Sequence, residues 1–163
     1  MPKLKPLEEW ICDTCGAVTD INAGSVEWLR PIDGGPHSFR IVHNNNKCFQ
    51  HTHKLERSDN HLEYFVGVEG LQAFLAFLNV GPLLAPHNKS VRQPDMASFV
   101  DTVRRLHIPY YEEARRYLAE ARADGYFDDQ SESDIYTPKT CEAMIKRYES
   151  WIRMPSEQVT RIE

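Results

Sequence analysis

Four residues in two pairs carry the clearest chemical signal in this chain. Cys12 and Cys15 stand two residues apart in Cys12-Asp13-Thr14-Cys15-Gly16, and Cys48 and His51 repeat that gap in Cys48-Phe49-Gln50-His51. Two thiolates, a third thiolate and an imidazole are the donor set of a tetrahedral zinc ion, and a two-residue gap lets each pair wrap one side of the metal. Gly16 lets the backbone take the left-handed conformation that such a turn favours. The fourth ligand is assigned on spacing to His51, with His53 as the alternative. His37, in a Gly-Gly-Pro-His turn, and His43, at the end of an expected strand, read as surface histidines.

Three thiolates and one imidazole close the coordination shell, and a closed shell does structural work. The His-x-Glu plus Pro-Cys-x-x-Cys pattern of zinc deaminases is absent, as is His-Glu-x-x-His. Thiol–disulfide enzymes place Cys-x-x-Cys at the start of a helix in a βαβ setting. Here Gly16-Ala17-Val18-Thr19-Asp20 leads into a loop and hairpin instead. No Ser–His or carboxylate–His constellation is legible, so no catalytic or organic-cofactor residue is assigned. Cys141 stands alone in sequence and reads as a small buried apolar residue.

The elements that must position these ligands follow from residue patterning. Ser25 to Arg30 and Ser38 to His43 alternate and carry aromatic and β-branched side chains, which predicts two paired strands. Asp33-Gly34-Gly35-Pro36 supplies a turn between them, and Asn44-Asn45-Asn46 turns the chain into Cys48. From Ser58 the pattern becomes helical: a short helix capped by Ser58 or Asp59, then one with Leu71, Phe74, Leu75 and Leu78 on one face. Gly81-Pro82 stops it, and 83–93 reads as a linker. A helix opens at Pro94-Asp95 and ends at Ile108-Pro109, because proline suits a helix start and not its interior. A long helix is expected over 110–124, closed by Gly125, then a short hairpin over 126–136. A last helix starts at Thr137-Pro138 and presents Met144, Ile145, Tyr148, Trp151 and Ile152.

Composition bounds the rest. The chain has 163 residues, 41% of them hydrophobic and 26% charged, with a net charge of −5. That is enough apolar material for a core, and it offers no global attraction to polyanions. The longest apolar segment, Leu71 to Leu84, is interrupted by Gln72, Asn79, Gly81 and Pro82 and is too short to span a bilayer. No signal peptide is visible, so a soluble, cytoplasmic protein without a membrane partner is expected, and the cysteines read as thiols or ligands. Arg104-Arg105, Arg115-Arg116 and Lys146-Arg147 read as solvated basic pairs. The order helix, turn, helix, hairpin over 95–136 has the layout of a winged helix, which makes DNA a possible partner. Residues 95–163 carry 14 acidic against 10 basic side chains, and the second helix begins Tyr-Tyr-Glu-Glu. Both disfavour contact with phosphates, so a protein partner is preferred.

Trp10-Ile11-Cys12-Asp13-Thr14-Cys15-Gly16 with Cys48-Phe49-Gln50-His51 resembles zinc-ribbon modules. The whole chain, including Arg105-Leu106-His107-Ile108-Pro109-Tyr110-Tyr111-Glu112-Glu113-Ala114, resembles small uncharacterised bacterial proteins that carry no established activity. His43-Asn44-Asn45-Asn46 beside the Cys-x-x-Cys pair resembles part of an HNH-type endonuclease. The expectation is an α+β protein: a leader over 1–9, a zinc-bound, zinc-ribbon-like β-hairpin module over 10–57, and a bundle of four or five helices over 58–163. Its expected function is that of a non-enzymatic interaction or regulatory protein with structural Zn²⁺. A DNA-binding regulator and a metal-dependent nuclease are the alternatives.

Overall fold

The computed structural model describes residues 3–31, 35–50, 57–78 and 94–152, the last three by backbone alone. It is a mixed α/β structure with two small antiparallel sheets followed by helices. Strand β1 (Glu9–Ile11) pairs with β2 (Val18–Asp20), and the turn between them carries Cys12 and Cys15. Strands β3 (Gly24–Leu29), β4 (His37–His43) and β5 (Arg57–His61) form a second sheet in the order β4-β3-β5. The expected hairpin is therefore present as β3 and β4, in register Val26↔Ile41 and Glu27↔Arg40. Ser58 and Asp59, expected to cap a helix, lie in β5, because the open edge of β3 offers them a hydrogen-bonding ladder.

A 3-10 turn (Leu62–Phe65) leads into α1 (Gly67–Leu78), and α2 (Met96–His107) follows. The Asp95 carboxylate caps α2 by accepting from the Ala97 and Ser98 amides, as its position before the apolar stripe predicts. The region expected as one helix over 110–124 is divided into α3 (Tyr111–Ala114), a 3-10 turn (Arg115–Tyr117) and α4 (Leu118–Ala123). Gly125 ends it at φ +67°, the left-handed closing position read from the sequence. The hairpin expected over 126–136 is absent. The chain there forms turns and the short α5 (Glu132–Ile135), because Tyr126 and Phe127 fold inward onto the helices and Ser131 donates to Asp134. The last helix, α6 (Pro138–Ile152), begins where expected, with Thr137 Oγ1 accepting from the Thr140 amide. The linker expected over 83–93 lies outside the described residues. None of the described helices is long and apolar enough to cross a membrane.

One apolar cluster joins the sheets to the helices. Val26 and Trp28 of β3 and Phe39 and Ile41 of β4 meet Phe74 of α1 and Phe99 of α2. Phe39 lies with its ring centroid 5.2 Å from Phe99 and 5.2 Å from Phe77, at edge-to-face angles that aromatic quadrupoles favour. Trp10 of β1 is buried in the same cluster. A second cluster, built on Tyr111, Ala114, Met144, Ile145 and Tyr148, packs α3 against α6 and includes the buried Cys141. Burial pushes the Cys141 thiol up to about 11, in keeping with an inert apolar side chain. Within the expected leader, Leu4 is buried and its amide donates to Glu113.

Candidate metal centre

Cys12 directly follows β1 and opens a tight turn. Its amide donates to the Ala17 carbonyl at 2.9 Å, and the Gly16 amide returns to the Cys12 carbonyl at 2.9 Å. Gly16 holds φ +72°, the left-handed value this turn requires. The second turn starts at the end of β4. Asn45 accepts the Lys47 and Cys48 amides on its side-chain oxygen, an Asx turn that brings Cys48 back under His43. The Asn run is thus the turn read from the sequence.

These two turns place the Cys12, Cys15 and Cys48 sulfurs and a His43 ring nitrogen all within 4.8 Å of one another. His43 Nδ1 lies 3.4 Å from Cys15 Sγ and 3.8 Å from Cys48 Sγ. Zinc–sulfur and zinc–nitrogen bonds of about 2.3 and 2.0 Å put the N···S edge of a tetrahedron at about 3.6 Å. The observed edges bracket that value. The other ring nitrogen, Nε2, is 3.1 Å from the Val18 carbonyl. With Nε2–H donating there, Nδ1 keeps its lone pair for the sulfurs, the arrangement by which metal-bound histidines are oriented.

Sequence reasoning placed His43 on the surface, and the structure places it among the thiols. The physical reason is the strand end. His43 closes β4 with its side chain on the side of Val18, and its own amide lies 3.4 Å from Cys12 Sγ. Strand pairing thus delivers the histidine without any two-residue spacing to mark it. His51 and His53, the ligands expected on spacing, lie outside the described residues. Of the other histidines, His37 contacts Ser38 and His61 contacts Asn44.

The thiols are unequal. Burial raises the Cys12 thiol, but the backbone amides of Cys15, His43 and Thr14 outweigh it and bring it down to about 6. Burial and the neighbouring Cys12 and Cys15 sulfurs push Cys48 up to about 11. Crowding several thiols opposes their joint ionisation, and a cation removes that opposition. The donor set of three soft sulfurs and one imidazole suits zinc and other borderline-soft ions better than calcium or magnesium.

The turns are braced from outside. Thr14 Oγ1–H donates to the Cys48 carbonyl, tying the two turns together, and Arg40 donates to Thr14 Oγ1. Glu27, 1% exposed, accepts the Gln50 amide at 3.1 Å and faces Arg40 at 3.7 Å. On the other side, Glu112 accepts the Ile11 amide at 2.8 Å. Arg105, Glu112 and Glu113 are buried, although the sequence reading left Arg104-Arg105 on a solvated face. A pairing signal exists only in hindsight: Arg105 and Glu112 flank the Ile108-Pro109 break, which folds α3 back on α2.

Cys-x-x-Cys lies in a strand–turn–strand setting, not at a helix start, so the surroundings of a thiol–disulfide enzyme are lacking. Comparison of the chain with protein-family models, with curated proteins and with solved structures returns no match, so no relative supports the zinc-ribbon or the bacterial resemblance.

Proposed function

We propose that this protein is a zinc-binding, non-enzymatic interaction or regulatory protein whose zinc is structural. The observation that carries this reading is the convergence of Cys12, Cys15, His43 and Cys48, whose ligand atoms all lie within 4.8 Å. We take His43 as the fourth ligand, with His51 and His53 as the competing assignments. The zinc-ribbon likeness rests on the two turns flanking the β3–β4 hairpin. Four protein ligands leave no position for a substrate or an activated water.

Zinc content and X-ray absorption of the purified chain test this. One zinc per chain, bound by three sulfurs and one nitrogen with no water, is expected. An open position holding water would overturn the structural role, and a metal-free protein with fully reactive thiols would overturn the site.

Two observations weigh against DNA as the partner. The expected recognition helix is divided into short segments, and its acidic start is engaged in buried ion pairs. The segment 126–136 carries no wing strands. The nuclease alternative needs His43 as a free base, whereas its imidazole faces Cys15 and Cys48.

A further inference from the structure

Asp13, one of the two residues between Cys12 and Cys15, is joined directly to the helical half of the chain. Arg105 of α2 is 2% exposed. Its guanidinium grips both oxygens of Glu112, at 2.6 and 2.9 Å, across the turn between α2 and α3. Its remaining donors reach out of the helices: Nη2–H to the Ile11 carbonyl at 2.8 Å and Nη1–H to Asp13 Oδ2 at 2.6 Å. Asp13 Oδ2 also accepts the Ile41 amide at 2.8 Å, and Arg115 stands 3.8 Å from Oδ1. Trp10 Nε1–H donates to the Arg105 carbonyl at 3.0 Å. Three of the four residues 10–13, namely Trp10, Ile11 and Asp13, are therefore bonded to Arg105 or Glu112.

Resting on the metal reading above, we infer that the metal ion governs the docking of α2 and α3 on the N-terminal strands, with Asp13 and Arg105 transmitting its presence. Asp13 lies in a four-residue turn whose two ends are ligands. A bound ion pins both ends and holds the carboxylate against the guanidinium. Without the ion, the turn is no longer pinned at its two ends and is held by its own two backbone bonds, by Asp13 paired with Ile41 and by Thr14 against Cys48 and Arg40. Asp13 then gains freedom, and a buried Nη1–H loses its charged acceptor. An unpaired donor on a buried cation is costly, so the metal-free state favours separation of Arg105 from β1. The coupling is reciprocal: loosening α2 from the strands weakens metal binding by the same factor, although Arg105 touches no ligand atom.

Hydrogen exchange read by mass spectrometry tests this on the full chain, loaded with one equivalent of Zn²⁺ and then chelated. Chelation is expected to speed exchange over 96–114 about tenfold or more, and by more than over 138–149 of α6, which packs on α3 and not on the turn. In Asp13→Asn, which keeps an oxygen for the Ile41 amide but loses the charge, the metal-dependent change over 96–114 is expected to fall below about threefold. Zinc affinity, read by competition with a chromogenic chelator, is expected to fall about tenfold in that variant. Zinc that binds and leaves 96–114 unchanged on chelation overturns the coupling and spares the metal reading. A uniform acceleration across the chain overturns this route in favour of global unfolding. A chain that binds no Zn²⁺ overturns both. If Asp13→Asn does not fold, the comparison of loaded and chelated wild-type protein still decides.

Discussion

At the scale of the residue, the imidazole of His43 separates a spacing rule from a spatial one. Its Nδ1 is aimed at two sulfurs and its Nε2 is held by a backbone carbonyl. His43→Ala is therefore expected to lower zinc affinity by about a hundredfold or more, since even outer partners of metal ligands contribute about ten- to a hundredfold. His51→Ala and His53→Ala are expected to change it less than about threefold. Competitive chelator titration checks all three, and a loss confined to His51→Ala would return the fourth place to the sequence-based assignment. Glu27 makes a second residue-scale prediction. Burial raises its pKa, and the Gln50 amide with the Arg40 and Arg57 charges offsets this only in part. Its protonated form therefore favours the fold. That contribution is complete below the ordinary glutamate value of about 4.3 and is lost as pH rises through the raised folded value. Glu27→Gln, neutral throughout, is expected to gain stability relative to wild type between pH 4 and pH 7, by urea denaturation at each pH. A difference that stays flat with pH would show that the carboxylate is not perturbed.

At the scale of the element, short segments here are fixed by neighbours rather than by their own propensities. Strand β3 is buried over five of its six residues because its Val26–Trp28 side meets the aromatic core while its Glu27 side meets the second ligand turn. Helix α1 begins hard against the preceding 3-10 turn. A Cβ at Gly70 would lie 2.1 Å from the Phe65 carbonyl carbon, a backbone atom that cannot swing aside. Gly70→Ala is therefore expected to cost at least about 2 kcal/mol, because overpacking against backbone must separate the two elements. Gly16→Ala makes the informative contrast. Its Cβ meets nothing within 4 Å, so only the left-handed φ of +72° is penalised, at about 1 kcal/mol. Chemical denaturation of the two variants checks the order, and equal costs would refute this account of Gly70.

At the scale of the whole molecule, the sheets and the first two long helices share one interior. Phe99 of α2 touches Phe39 of β4 and Phe74 and Phe77 of α1, with centroids 5.2 to 6.0 Å apart. Phe99→Ala is expected to destabilise the protein by about 3–5 kcal/mol. The loss should appear at the same denaturant concentration in far-UV and near-UV circular dichroism, since helix and tryptophan packing depend on the same ring. Separate transitions would mean that the N-terminal strands and the helices unfold independently. The buried ion pairs add connection of a different kind, since Arg105, Glu112 and Asp13 bind residues about a hundred positions apart in sequence.

The sequence by itself determined the local features. Cys12, Cys15 and Gly16 announce their turn, Asn44-Asn45-Asn46 announces the approach to Cys48, and Asp95, Thr137 and Gly125 announce helix ends. Each of these depends on backbone chemistry within a few residues, which a linear pattern records. The strand pair β3–β4 was legible for the same reason, through alternation over six or seven positions. Tertiary structure alone decided that His43 joins the thiols, that Ser58 and Asp59 extend a sheet, and that Arg105 and Glu112 are buried. It also divided the helix expected over 110–124, because Glu112 and Glu113 are claimed by the N-terminal strands and by Leu4. Whether a charged side chain is solvated or paired inside the fold depends on groups about a hundred residues away. The two cysteines could be read from spacing because their turn is local, whereas the histidine that meets them is delivered by strand pairing, which spacing does not encode.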